Sequence, residues 1–304
     1  MYKKFYKEAL RIRLVEEKII ELYPSDKIQS PVHMSIGQEA VAVGTCQALD
    51  DDDLVFATYR SHAFYLAKGG DMPKMFAELY GRIGGGCKGK AGSMHLAAPE
   101  VGFMGASAVV ASSIPHAVGA AMAAKRRKTG QVIMCAFGDG ATEEGVFHES
   151  MNFAALHKLP VLFLCEDNGL AVHSFKKDRQ SYELDQLPES YGMEKTVIEN
   201  GMDFVNVQKV TKSVVDKVRN GEGPAFLLIN TYRYKEHVGP GDDFDAGYRC
   251  SSDYDKWSKL DPLVQDEDTY NDLKAEVEQE VMAAVQFAED SPWPGRDELL
   301  TDVW

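Results

Sequence analysis

Hydrophobic positions change period along the chain, and the changes mark its elements. Phe5, Ala9, Ile12, Val15, Ile19 and Leu22 recur at spacings of three and four, which predicts an amphipathic helix that stops at Pro24. A small-residue segment between Gly37 and Gly44 predicts a second helix leading into the body. Short apolar runs at 132–137, 161–165, 204–207 and 225–230 have strand length. Helical stretches are predicted at 106–125, 143–156 and about 211–219. Strands alternating with helices predict an α/β fold, a parallel sheet with helices on both faces. Near the end, Tyr270, Leu273, Val277, Val281, Ala284 and Ala288 predict a long amphipathic helix closed by Ser291-Pro292-Trp293-Pro294. The expected organisation is one domain over 1–304, with an N-terminal helical arm at 1–45 and a C-terminal helical tail at 262–304. No repeat or low-complexity segment interrupts it.

Charge and composition narrow the partners. Lys plus Arg number 33 and Asp plus Glu 47, a formal charge of 33 − 47 = −14. Such a surface repels nucleic acid and anionic membranes. No apolar run approaches membrane-spanning length and the N-terminus has no signal core, so a cytoplasmic location is expected. The five cysteines form no CxxC pair, and Cys135 and Cys165 lie within apolar runs. They read as packing residues in a reducing compartment rather than as a disulfide framework or metal set.

The densest chemistry lies in the segment QVIMCAFGDGATEEGVFHESMNFAALHKLPVLFLCEDNGLAV, residues 131–172. It reads as strand, glycine turn, helix, strand. In a right-handed parallel unit both strands end on the same edge of the sheet, so Asp139 and Asn168 can meet there although 168 − 139 = 29 residues separate them. A carboxylate and an amide oxygen beside glycine N–H groups suit a Mg²⁺ that also holds phosphate oxygens. Asp139, Asn168 and the Leu170 carbonyl are the candidate metal ligands. Gly140 and Ala141, at the turn before the helix, let a diphosphate approach main-chain donors. Tyr59-Arg60 ends another apolar run, where an arginine can bind a diphosphate through two hydrogen bonds. Two glycine-rich loops, 81–96 and 236–250, deny regular structure to their segments.

Together, GDG followed after a helix and a strand by Asn resembles the thiamine diphosphate fingerprint. Almost the whole chain is similar to the α subunit of the two-chain 2-oxo acid dehydrogenases, the thiamine-dependent first component of the pyruvate, branched-chain and acetoin complexes. That resemblance implies a thiamine diphosphate-binding fold of the diphosphate-binding type, with Mg²⁺, and places Tyr59 and Arg60 on the diphosphate. Ala108 and Val110 fall where main-chain groups hold the aminopyrimidine; relatives often have glycine at the first, and backbone contacts tolerate Ala108 if its φ is negative. The resemblance puts His33, in its His-x-x-x-Gly-Gln-Glu-Ala pattern, toward a 2-oxo acid, and His237 beside the diphosphate, where it assists acyl transfer. Lys235 and Glu236 depart from the usual His-Gly or Arg-Gly, and Val238 replaces a serine that is phosphorylated in mitochondrial relatives. The resemblance further implies an α₂β₂ assembly in which a β subunit supplies the activating glutamate, and a lipoyl-bearing acyltransferase as acceptor. The N-terminal helix face and segments 81–96 and 106–125 are then expected as contact surfaces.

Two other readings use the same residues. One is an acetoin-cleaving or transketolase-like half-enzyme on the same cofactor cradle; the other is a non-catalytic scaffold that kept the fold. A NAD-binding fold is disfavoured because no G-x-G-x-x-G follows an early strand.

Overall fold

The computed structural model describes residues 1–302, so the last two residues of the expected tail lie outside the described residues. Along the chain run α1 (Tyr2–Leu22), α2 (Glu39–Cys46), β1 (Leu54–Thr58), α3 (His62–Ala67), α4 (Met72–Leu79), β2 (Phe103–Ser107), α5 (Ser113–Arg127), β3 (Ile133–Gly138) and α6 (Gly145–Leu156). Then come β4 (Val161–Asp167), a small hairpin β5 (Leu170–Ala171) and β6 (Ser174–Phe175), β7 (Glu194–Ile198), α7 (Phe204–Arg219), β8 (Ala225–Asn230), α8 (Ser251–Ser258), α9 (Pro262–Gln265) and α10 (Glu267–Asp290).

Six strands form one parallel sheet in the order β2-β1-β3-β4-β8-β7. Alternation within its buried strands sorts side chains between two layers. Ile133, Cys135 and Phe137 of β3 join α5 and α6 on one face, whereas Met134 and Ala136 join the layer that contains α1, α2, α7 and α10. Cys135 and Cys165 are buried packing residues as expected, and all five cysteines are free. The chain runs from β1 to β2 on one side and then crosses back past β1 to β3 on its other side, so strand order reverses between β1 and β3 and their carboxyl ends form a topological switch point. A crevice for a ligand is expected there.

Three expectations about elements are corrected. Residues 204–207 open α7 rather than forming a strand, because the Asp203 side chain accepts hydrogen bonds from the N–H groups of Val205 and Asn206 and caps the first turn. The strand beside β8 is instead Glu194–Ile198, a half-exposed edge whose polar residues weaken the apolar signal. Ala106 and Ser107 finish β2, and the helix begins only at Ser113, after a turn that holds Ala111 at φ 62°. The apolar face of the N-terminal helix, expected as a contact surface for another chain, is used within this one. It is covered by α10, α2 and Phe204, whose ring stands edge-on to Phe5 with centroids 6.3 Å apart. Arg13, buried in that layer, donates to Glu39 at 2.5 Å and Asp261 at 2.9 Å, tying α1 to α2 and α9.

Candidate functional site

The switch-point crevice is a pocket of about 270 Å³. Tyr59 and Arg60 reach it from the end of β1, Asp139, Gly140 and Ala141 from the end of β3, and Asn168 and Leu170 from the end of β4. His237 comes from the segment after β8, and Val110 from the turn before α5. His33 does not line the pocket. It is buried behind it, its ring 4.4 Å from Tyr59 and 5.2 Å from His237 between centroids. Ala108 lies two residues from the lining Val110 and is not among the residues with positive φ, so alanine there carries no backbone strain.

Arg60 is buried, yet it forms no ion pair among the described residues. Its guanidinium donates to the carbonyls of Met34 at 2.6 Å and His237 at 3.2 Å, and Nη2 lies 3.5 Å from His237 Nδ1. Burial and the nearby Arg233 lower its pKa from 12.5 to about 10. A buried cation of this kind requires an anion for full compensation. The same surroundings act on the imidazoles. Burial first, then the charge of Arg60, pushes His33 down to about 3 and His237 down to about 4, so both rings are neutral at physiological pH.

Asp139 supplies the opposite half. Its carboxylate is buried, Oδ2 accepts from Arg179 Nη2 at 2.5 Å, and Oδ1 has no partner among the described residues. Burial, with the neighbouring Asp167, raises its pKa to about 6 against the pull of Arg179. An orphaned, buried carboxylate oxygen facing a pocket fits a hard cation, and the oxygen donor set of Asp139 and Asn168 fits Mg²⁺. Asn168 is itself oriented: Nδ2 donates to Gln38 Oε1 at 3.1 Å, and Oδ1 accepts from the Leu170 N–H at 3.1 Å. Glu166, two residues earlier within β4, is raised to about 7 by burial, opposed by Gln38 and Arg60. Among the described residues no cluster of three His, Cys, Asp or Glu side chains is placed to hold a metal. A cation here would combine the Asp139 carboxylate with oxygens from an amide, the backbone and a ligand.

Sequence reasoning missed the side chains that hold these groups in place. The loop carrying His237 is tied down by a buried network. Arg233 donates to Asp243 at 3.0 Å and to the Val172 carbonyl at 3.0 Å, and Arg249 donates to Asp243 at 2.5 Å and to the Arg233 carbonyl at 2.7 Å. The glycine loop is organised by Glu78 of α4. Its buried carboxylate accepts from the N–H groups of Cys87, Gly89, Ala91 and Gly92 at 2.7–3.2 Å. In sequence these residues look like ordinary charged positions, and only the GQEA context around Gln38 hinted at a role.

The Dehydrogenase E1 component family model matches residues 7–296. This chain belongs to that family. The alpha subunit of acetoin:2,6-dichlorophenolindophenol oxidoreductase from Bacillus subtilis is 35% identical over 98% of this chain and 92% of that subunit. The pyruvate dehydrogenase E1 component alpha subunits of Zymomonas mobilis and Rhizobium meliloti are each 36% identical, over 98% and 99% of this chain and 87% and 89% of theirs. Among solved structures, a thiamin diphosphate-dependent enzyme from Mycobacterium smegmatis overlaps loosely, with a TM-score of 0.45 and 16% identity over 67% of this chain and 33% of that one. The E1 chain is thus matched along almost its whole length, and the pocket at its switch point lies inside the matched region.

Proposed function

We propose that the pocket binds thiamine diphosphate, the cofactor of this E1 family, through Mg²⁺, and that the chain works as the α half of a two-chain 2-oxo acid dehydrogenase. One observation carries the reading: among the described residues, a buried arginine without an ion pair and a buried aspartate with an orphaned oxygen face one pocket at the sheet's switch point. Each is costly alone, and a metal–diphosphate ligand answers both. When bound, the cofactor supplies an electron sink for breaking the bond next to a carbonyl.

Arg60 and Tyr59 would hold the diphosphate, with the Gly140 and Ala141 main chain beside it. Asp139 Oδ1, Asn168 and the Leu170 carbonyl would hold Mg²⁺, and the Ala108 and Val110 main chain would orient the aminopyrimidine. His237 is neutral and rests against Arg60, so a ring nitrogen is able to accept or relay a proton at the pocket mouth. His33 packs against Tyr59 and His237 and so sets the ring that meets a substrate. The activating glutamate is assigned to a β subunit in an α₂β₂ assembly, and a lipoyl-bearing acyltransferase is the acceptor in this reading.

Acetoin cleavage is the second reading. It is favoured by the match to the acetoin-named subunit and by Lys235-Glu236 at the head of the His237 loop, where Glu236 folds back to accept from the Gly241 N–H at 2.8 Å. Both readings are tested by thiamine diphosphate-dependent ferricyanide reduction with pyruvate, a branched 2-oxo acid and acetoin, β chain present. Turnover of a 2-oxo acid that needs both chains and Mg²⁺ supports the first, preference for acetoin the second. Full activity of this chain alone refutes the two-chain assignment.

A further inference from the structure

Arg179 lies 40 residues beyond Asp139, outside the strand ends that line the pocket, and the chain reaches back to them by way of the β5–β6 hairpin. All three edges of its guanidinium are used. Nε donates to the Ser174 carbonyl at 3.2 Å, Nη2 to Asp139 Oδ2 at 2.5 Å, and Nη1 to Glu143. The side chain is only 12% exposed and does not line the pocket. Arg179 thus holds the pocket-lining residues Asp139 and Glu143 without lining the pocket itself, while Asp139 Oδ1 has no partner among the described residues.

The rest of this segment clasps the same turn. Gln180 Nε2 donates to the Asp139 carbonyl at 3.2 Å and to Thr142 Oγ1 at 3.1 Å, and the Tyr182 hydroxyl donates to the Thr142 carbonyl at 3.1 Å. Gly140 lies beneath: an added Cβ would stand 2.8 Å from Ala171 Cβ and 3.6 Å from Arg179 Nη1. Gln180 and Tyr182 hold the backbone of the turn, whereas among the described residues Arg179 alone hydrogen-bonds the carboxylate itself. A carboxylate with two free oxygens can turn both inward or swing away; one held at Oδ2 by one arm of a guanidinium whose other arm is fixed on Glu143 presents a single oxygen in one direction.

We propose that Arg179 is the positioning residue of the metal half of this site, orienting the Asp139 carboxylate so that Oδ1 is left to ligate the cation. The proposal rests on the assignment of Asp139 to Mg²⁺ above. A competing role, a counter-ion that fills in for the metal, predicts the opposite sign, because removing a competitor tightens metal binding.

The test is calorimetric titration of the chain, co-purified with its β subunit, with thiamine diphosphate across a Mg²⁺ series, for wild type, Asp139→Ala, Arg179→Met, Arg179→Lys and Gln180→Ala. Arg179→Met should raise the half-saturating Mg²⁺ concentration about 10- to 100-fold, the usual effect of losing a ligand-orienting partner. Arg179→Lys, which keeps the charge without the fork, should fall between it and wild type. Gln180→Ala, which loosens the turn but not the carboxylate, should change it less than about threefold. A lowered Mg²⁺ requirement in Arg179→Met, or equal losses in Arg179→Met and Gln180→Ala, overturns the proposal. If Arg179→Met lacks a cooperative unfolding transition, Arg179→Lys decides: a wild-type Mg²⁺ requirement there overturns it. Wild-type behaviour of Asp139→Ala refutes the underlying metal assignment instead, whatever Arg179 does.

Discussion

Replacing Arg60 by methionine separates an arginine installed for stability from one installed for an anion. In the ligand-free chain the lowering of its pKa from 12.5 to about 10 corresponds to about 3 kcal/mol of unfavourable burial, at 1.36 kcal/mol per pH unit. That cost is present throughout the neutral range and fades only as pH rises past 10. Methionine removes it but leaves the Met34 and His237 carbonyls without their donor, at about 1–3 kcal/mol each. The net change runs from about 1 kcal/mol gained to about 3 kcal/mol lost. Arg60→Met should therefore unfold in urea no more than about 3 kcal/mol below wild type, whereas breaking a buried ion pair typically costs about 3–5 kcal/mol. Affinity for thiamine diphosphate or inorganic diphosphate, measured by calorimetry with Mg²⁺ present, should fall about 10- to 100-fold through loss of charge-assisted hydrogen bonds worth about 1.5–3 kcal/mol. A variant that loses more than about 3 kcal/mol of stability and keeps its diphosphate affinity would show that Arg60 is structural.

His237→Ala should bind cofactor normally yet lose about 10²- to 10⁴-fold in turnover, and a loss under about tenfold would make the ring structural. His33 stays neutral in the fold down to about pH 3 but takes up a proton near pH 6.5 when unfolded, so the unfolded state binds more protons and stability falls as pH drops below about 6.5. At pH 4.5 the deficit from His33 is about 3 kcal/mol, and His33→Gln should shrink the urea-stability difference between pH 7 and pH 4.5 by about that amount. An unchanged acid limb would contradict this. Glu78→Gln turns an amide donor toward two of the four N–H groups now accepted by the carboxylate, so it should cost about 2–6 kcal/mol and open 81–92 to limited proteolysis. Wild-type resistance in that loop would mean that the tail at Pro292, which accepts from the Ile83 N–H at 3.0 Å, holds it instead.

What the sequence determined by itself was whatever depends on near neighbours. The three-and-four spacing of α1 and α10 and the unbroken runs of β3, β4 and β8 were legible because helix and strand periods follow from local backbone geometry. The parallel unit followed from the handedness of one crossover, so Asp139 and Asn168 could be placed on the same edge before any contact was known. The 204–207 run was misread because four apolar residues fit a strand or a first helical turn, and the deciding cap at Asp203 is polar. Only the tertiary structure decided which distant side chains converge. Arg179 on Asp139, Gln38 on Asn168, Glu78 on the glycine loop and Asp243 between Arg233 and Arg249 each depend on how a loop returns across the sheet. Burial was decided there too. Residue type sets the ordinary pKa of a histidine or an arginine, but the neutrality of His237 and the uncompensated charge of Arg60 come from the layers packed over them, because desolvation is a property of everything that surrounds a group.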